Sequence, residues 1–237
     1  AEMAELRILH LYPETLKLNG ERGNVTALRF RAEKLGLTVR VLETEIGSDL
    51  PVKRPHIVFI GSGTLSATLV AASDLQGKGD QIHRWVVAGA KVLAVGSGFD
   101  LISQGLQLAD GTFVQGLGLT NTTHSIEPKY LVGEVELTNG LAGFINSNRS
   151  IRRGKGDHQL AEVLASDAKE LIGYSDGYSD GKVMASNVQG PLLPMNPKLA
   201  DLLISWVYPK LTKAPSLKSI DLLATKARKA ISVRVRS

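Results

Sequence analysis

The chain of 237 residues contains no cysteine. That excludes disulfides, cysteine-based metal sites and any thiol nucleophile. No stretch approaches the roughly 20 apolar residues of a membrane helix, so no membrane insertion is expected. Ala1–Glu5 shows no basic region ahead of an apolar run, which argues against a signal peptide and for a cytoplasmic protein. Internal repeats, low-complexity linkers and the spacing of a phosphate-binding P-loop are missing too. The five histidines have no spaced carboxylates beside them, so neither a metal nor a cofactor is expected.

What is present is ordinary for a globular protein: 43% apolar and 22% charged residues, in a chain long enough to bury a core without staples. The net charge is +5. Much of it sits in Lys210, Lys213, Lys218, Lys226, Arg228, Lys229, Arg234 and Arg236. With no interleaved aromatics and no nucleic-acid motif, this end reads as a solvated basic helix and tail, not as a nucleic-acid-binding surface.

The first half alternates strand and helix signals. Leu6–Leu11, Leu37–Leu42, His56–Ile60 and Lys91–Val95 read as strands, the third continuous and β-branched as a buried parallel strand should be. Between them, Val25, Leu28, Ala32 and Leu35 follow one helical face, with Asn24 as a cap and Gly36 as the stop. Further helices are expected over Ser66–Leu75, Gln81–Ala88 and Phe99–Gln104. The second half gives strands at Leu131–Leu137, Ala142–Ile145 and Lys182–Asn187, then helices at Pro197–Val207 and Leu217–Ile231. The pattern predicts an α/β fold: an open, doubly wound, largely parallel sheet flanked by helices, with an antiparallel extension. Residues 1–209 are expected to form the α/β domain, and 210–237 a basic C-terminal helix and tail on it.

Ligands in such sheets sit beyond the carboxyl ends of the strands. Two glycine-bearing loops fall there, Gly61-Ser62-Gly63 and Gly96-Ser97-Gly98. Val95 to Phe99 has the strand–turn–helix form of a nucleophile elbow, with Ser97 its only hydroxyl. The hydrolase pattern needs glycines two residues either side of the serine, and Val95 and Phe99 stand there instead. His56 and His83 fall on a strand and a helix, while His124 and His158 read as surface histidines in loops. The repeated Tyr-Ser-Asp-Gly at Tyr174 and Tyr178 reads as two turns, since Asp176 and Asp180 lack the ligand spacing of a calcium loop.

Leu9-His10-Leu11-Tyr12-Pro13-Glu14, followed by Gly20-Glu21-Arg22-Gly23-Asn24-Val25, resembles the opening of the cobyric acid synthase-like class I glutamine amidotransferases. Within them it most resembles the glutaminase subunits of lipid II isoglutaminyl synthases. The likeness continues through Phe59-Ile60-Gly61-Ser62-Gly63 at the oxyanion loop and Val92-Leu93-Ala94-Val95 before the elbow. It then runs through Gly116-Leu117-Gly118-Leu119, Gly190-Pro191-Leu192-Leu193-Pro194 and Asn196-Pro197 to Leu199-Ala200-Asp201-Leu202-Leu203. It spans about Leu6 to about Trp206.

Against this pattern the elbow cysteine position holds Gly96, and the histidine position before the Gly-Pro-Leu-Leu stretch holds Gln189. A phenylalanine-glutamate-asparagine-histidine-glycine-glycine pattern appears as Phe144-Ile145-Asn146-Ser147-Asn148-Arg149, and Asp100 replaces a glutamine in the elbow helix. The family chemistry needs a thiolate to attack the amide, a histidine to keep it ionised and to protonate ammonia, and backbone N–H groups for the oxyanion. Gly96 offers no nucleophile and Gln189 no titratable proton. A carboxylate at Asp100 would further oppose an oxyanion.

No catalytic residue is therefore expected. The candidate pocket comprises Gly61, Ser62, Gly63, Ser97, Gly98, Asp100, Asn146 and Gln189. The resemblance implies a non-hydrolysing partner of a Mur-ligase-like subunit acting on the peptidoglycan stem peptide. The alternatives are a module that binds an amino acid or amine, and an active glutaminase with an unusual nucleophile such as Ser97.

Overall fold

The computed structural model describes residues 4–156, 158–211 and 217–237. In chain order the first half holds β1 (Glu5–Leu11), α1 (Arg22–Lys34), β2 (Thr38–Thr44), β3 (Ile57–Ile60), α2 (Leu65–Gln76), α3 (Gly79–Val87), β4 (Lys91–Val95) and α4 (Ser97–Ile102). The second half holds β5 (Gly105–Gln107), β6 (Phe113–Gln115), β7 (Thr122–Leu137), β8 (Ala142–Arg153), β9 (Ala161–Ser166), β10 (Ser175–Asp176), β11 (Tyr178–Ser179) and β12 (Val183–Ser186). Helices α5 (Leu192–Met195), α6 (Pro197–Val207) and α7 (Lys218–Arg236) close the chain.

The main sheet runs β11-β12-β4-β3-β1-β2, parallel throughout except for the short edge strand β11. Side chains alternate across a strand, so each central strand feeds two cores. Leu6, Ile8, Ile57, Phe59, Leu93 and Val95 join one cluster with α1 and α6. Leu9, Leu11, Val58, Ile60, Val92 and Ala94 join the other with α2, α3 and α4. Both faces are thus covered, which is why these strands read as unbroken apolar runs. The second sheet runs β10-β9-β7-β5-β6, with β8 pairing β7. It is antiparallel apart from the β5–β7 pair.

Strand β4 and helix α6 have the bounds expected of them, and Gly36 (φ +85°) ends α1 as a glycine in the left-handed region should. Several expectations need correction. The first helix begins at Arg22, so Asn24 lies inside it and is not its cap. The buried Asn24 amide instead accepts from Leu193 N–H (2.9 Å) and donates to Glu21 Oε2 (3.1 Å), tying α1 to α5. The strand expected at Leu131–Leu137 is the second half of β7, whose register shifts between Ile126 and Leu131. The strand expected at Ala142–Ile145 runs on to Arg153, and the one at Lys182–Asn187, β12, returns to the parallel sheet beside β4.

Helix α7 does not end at Ile231 but reaches Arg236, packed on α5, β7, β8 and β9. Its last turn is committed to internal partners: Arg234 forks onto Glu134 (2.6 and 2.6 Å) and Arg236 onto Glu136 (2.8 and 2.8 Å). Lys213, one of the basic residues of this end, lies outside the described residues, as does the Ala1–Met3 start. Among the described residues no helix is long and apolar enough to cross a membrane.

Candidate functional site

Strands β3, β4 and β12 end side by side, so the segments 61–63, 96–100 and 187–190 converge at one edge of the parallel sheet. From the second sheet, 146–149 on β8 and Tyr130 on β7 face them across a cavity of about 300 Å³. Of the residues expected there, Ser62, Gly63, Ser97, Asp100, Asn146 and Gln189 line the cavity, together with Gly96. Gly61 and Gly98 do not. A β-carbon at Gly98 would stand 2.4 Å from Ile60 O, and one at Gly61 would stand 2.8 Å from Glu21 Cγ. Both are backbone spacers beneath the site that let the loops pass closely.

The elbow keeps its strained geometry without a side chain to project. Gly96 holds φ +58° and ψ −126°, and its N–H is fixed by Ser186 O at 2.9 Å. The space above it is already taken. A β-carbon there would lie 2.4 Å from Ser62 Oγ, 2.7 Å from Ser62 Cβ and 2.4 Å from Gln189 Nε2.

Two serines cross-link the loops. Ser97 N–H donates to Ser62 Oγ (3.2 Å), and Gly63 N–H donates to Ser97 Oγ (2.9 Å). In an elbow, the amide after the nucleophile position and one from a neighbouring loop are the donors that hold an oxyanion. Here both amides are satisfied internally. Ser97 Oγ donates back to Gly63 O (3.4 Å), and no histidine among the described residues bonds to it. A serine nucleophile has no base in this arrangement.

Gln189 is pinned by paired backbone hydrogen bonds with Phe144 (2.8 and 3.0 Å), which dock the segment after β12 onto β8. Its side chain is buried, and Oε1 has no partner among the described residues. The residue thus stands over Gly96, but with an amide that cannot exchange a proton near neutrality.

Asp100 corrects the expected repulsion. Its carboxylate is buried and held by Arg149 Nε at Oδ2 (2.8 Å) and by His124 Nδ1 at Oδ1 (2.8 Å). A carboxylate only accepts, so Nδ1 carries the proton and the Nε2 edge meets Thr122 Oγ1 (3.1 Å). The negative charge is therefore compensated where it lies. His124 is also not a surface loop residue: it is 1% exposed, on β7, with its ring edge-on to Phe99 at 4.5 Å. Arg149, not singled out beforehand, further bonds Asn148 and completes the wall.

The remaining histidines stand apart from the cavity. Burial, then the Arg22 charge, pushes His10 down to about 4. Burial, then Arg7 and Arg54, does the same for His56, whose Nδ1 accepts from Arg7 N–H (2.9 Å). His83 meets Leu117 O, and His158 is exposed beside Tyr178.

Beneath the glycine loop, burial pushes the Glu21 carboxyl up to about 8, against the opposing pull of the Ser62 backbone and Asn24. The Tyr-Ser-Asp-Gly repeat is not two turns: Ser175–Asp176 and Tyr178–Ser179 are the strands β10 and β11, and only Gly181 (φ +85°) turns the chain, between β11 and β12. Asp176 is buried, accepting from Ser186 Oγ (2.5 Å) and Asn187 N–H (2.9 Å). Among the described residues no three potential metal ligands group together.

This cross-linked elbow sits in a recognisable frame. Residues 7–197 match the model of the CobB/CobQ-like glutamine amidotransferase domain. The chain belongs to that family. Two relatives are each the GatD subunit of a glutamine-hydrolysing lipid II isoglutaminyl synthase. The one from Streptococcus pneumoniae is 28% identical over 219 residues, 87% of this chain and 82% of its own length. The one from Staphylococcus aureus is 24% identical over 209 residues, 85% of this chain and 84% of its own length. A crystal structure of a glutamine amidotransferase superposes with a TM-score of 0.54 at 14% identity, over 84% of this chain and 98% of that one, and shows the shared fold. In this CobB/CobQ-like chain the turn after β4 has the backbone form of an elbow, with Gly96 at its apex.

Proposed function

We propose that this amidotransferase-like chain does not hydrolyse glutamine and acts as the structural or regulatory partner of a Mur-ligase-like enzyme working on the peptidoglycan stem peptide. The observation that carries the reading is Gly96, with the place of a nucleophilic side chain filled by Ser62 and Gln189. Loss of the nucleophile costs on the order of 10⁶-fold in a well-studied triad, and loss of the base adds little because the two act as a unit. Internal satisfaction of both oxyanion amides points the same way.

The family likeness supports a partner: each relative is a subunit of a lipid II isoglutaminyl synthase. A retained scaffold with an erased site suits a protein that steadies a ligase or shapes its amine entrance. The ligase would then draw on free ammonia or another amine. On this reading the protein is cytoplasmic and heterodimeric. On the same reading the amidotransferase-like unit extends to about residue 209, and α7 is the basic helix attached to it.

The experiment is ammonia release from glutamine by the purified chain, alone and with its ligase, together with a native pull-down. Silence in both assays with a stable complex is the expected result. Turnover, or a pull-down without any Mur-ligase-like protein, would overturn one half of the proposal each.

A further inference from the structure

We propose that the cavity over Gly96 is a receptor for a compact free α-amino acid such as glycine, alanine or serine, and not for glutamine. This rests on the reading that the site does not hydrolyse glutamine. Charge comes first. Asp100 and Arg149 are the only charged residues among those lining the cavity, and they are paired with each other at 2.8 Å. Their formal sum is zero, so a net anion or a net cation meets attraction and repulsion together, while a zwitterion can address both.

Neither residue is saturated. A carboxylate has about four acceptor sites, and Asp100 uses one on each oxygen. Arg149 engages Nε with Asp100 and Nη1 with Asn148, which leaves Nη2 with no partner among the described residues.

The second observation is Gln189. It is 4% exposed, lines the cavity, and its Oε1 has no partner. Buried amides are rarely left unpaired, and each exception asks for a reason. Its Nε2 lies over Gly96, where it can donate to a ligand carboxylate.

The floor then sets the size. Ser62 Oγ and Gln189 Nε2 close the space above Gly96, and the amides of Ser97 and Gly63 are already bonded. A long side chain ending in a carboxamide finds no free backbone N–H at the bottom to hold its carbonyl. A short amino acid needs none.

The test is calorimetric titration of the full chain with glycine, L-alanine, L-serine and L-glutamine, and with acetate and methylamine as the two halves of the zwitterion. Saturable binding is expected for at least one compact amino acid, with glutamine, acetate and methylamine weaker by about tenfold or more. Gln189→Leu removes an amide that holds nothing in the fold; it should melt like the parent and bind about tenfold more weakly. Gln189→Glu keeps the shape, adds a charge against the ligand carboxylate, and should weaken binding further.

Flat heats for all three compact amino acids would overturn the proposal. So would glutamine binding as tightly as they do, or binding indifferent to both variants. Assaying ammonia in the glutamine samples separates the two readings. Ammonia release sinks the non-hydrolysing function, whereas flat titrations without ammonia sink only the amino-acid site.

Discussion

Replacing Gly96 with alanine tests whether the elbow is closed by its neighbours. Three contributions can be read from the geometry. A non-glycine residue at φ +58° and ψ −126° carries strain of about 1–3 kcal/mol. The new β-carbon would meet Gln189 Nε2 at 2.4 Å, which is the far end of a flexible side chain and can swing away cheaply. It would also meet Ser62 Oγ at 2.4 Å and Cβ at 2.7 Å. Ser62 sits in the loop after β3 and holds the Ser97 N–H, so its retreat strands a buried donor. Overpacking of that kind costs about 1–3 kcal/mol. The expected loss is therefore about 3 kcal/mol, or a fall in Tm of roughly 6–12 °C for a domain of this size.

A double-mutant cycle with Ser62→Gly isolates the contact. With Ser62 truncated, Gly96→Ala should cost at least about 1 kcal/mol less, leaving mainly the backbone strain. Urea and thermal melts of the four proteins provide the numbers. A coupling below about 0.5 kcal/mol, or a Gly96→Ala protein as stable as the parent, would refute the reasoning.

Restoring Gly96→Cys together with Gln189→His should still give an ammonia signal near background, because Ser62 and Ser97 keep the oxyanion amides; adding Ser62→Gly and Ser97→Gly should raise it. Arg31→Ala removes a buried guanidinium that holds Asp201 and Asp221 and should destabilise the fold by about 1–3 kcal/mol, with earlier proteolysis at α7. Glu21 is held protonated by burial, its pKa raised from 4.5 to about 8. Its contribution is full below the lower value and is lost as pH rises towards the upper one, because the unfolded chain gives up its proton first. The advantage of Glu21→Gln over the parent in urea midpoint should therefore grow from pH 5 to pH 8, and a constant difference would contradict the assignment.

The layers of the fold were legible because Ile57 to Ile60 of β3 and Val92 to Val95 of β4 are buried on both faces of the sheet and wholly apolar. Pro197 at the first turn of α6 was equally clear. The start of β7 was hidden for a physical reason. Thr122 and His124 are its buried positions, so the alternation is present in exposure but not in hydrophobicity. The three-residue strands β5 and β6 are too short to show any period.

For the site, the likeness to the family brought Gly96 and Gln189 together, and the structure puts their atoms in contact range. The serine cross-links escaped because their partners lie 34 and 35 residues apart and a hydroxyl announces no direction in a sequence. Asp100 was read as a lone charge because its two partners come from β7 and β8, strands whose extent the pattern did not reveal.

The salt-bridged helix α7 has a mechanical consequence. It is tied to the layer over the parallel sheet through Asp221 and Arg31, and to the other sheet through Arg234 and Arg236. The cavity takes one wall from each of those two bodies, yet no residue of α7 lines it. The helix is a brace: it joins the two bodies that wall a site it never touches, beside the direct Gln189–Phe144 link between them. Cutting the chain's last turns would release both arginine forks from the second sheet without altering a single residue inside the cavity.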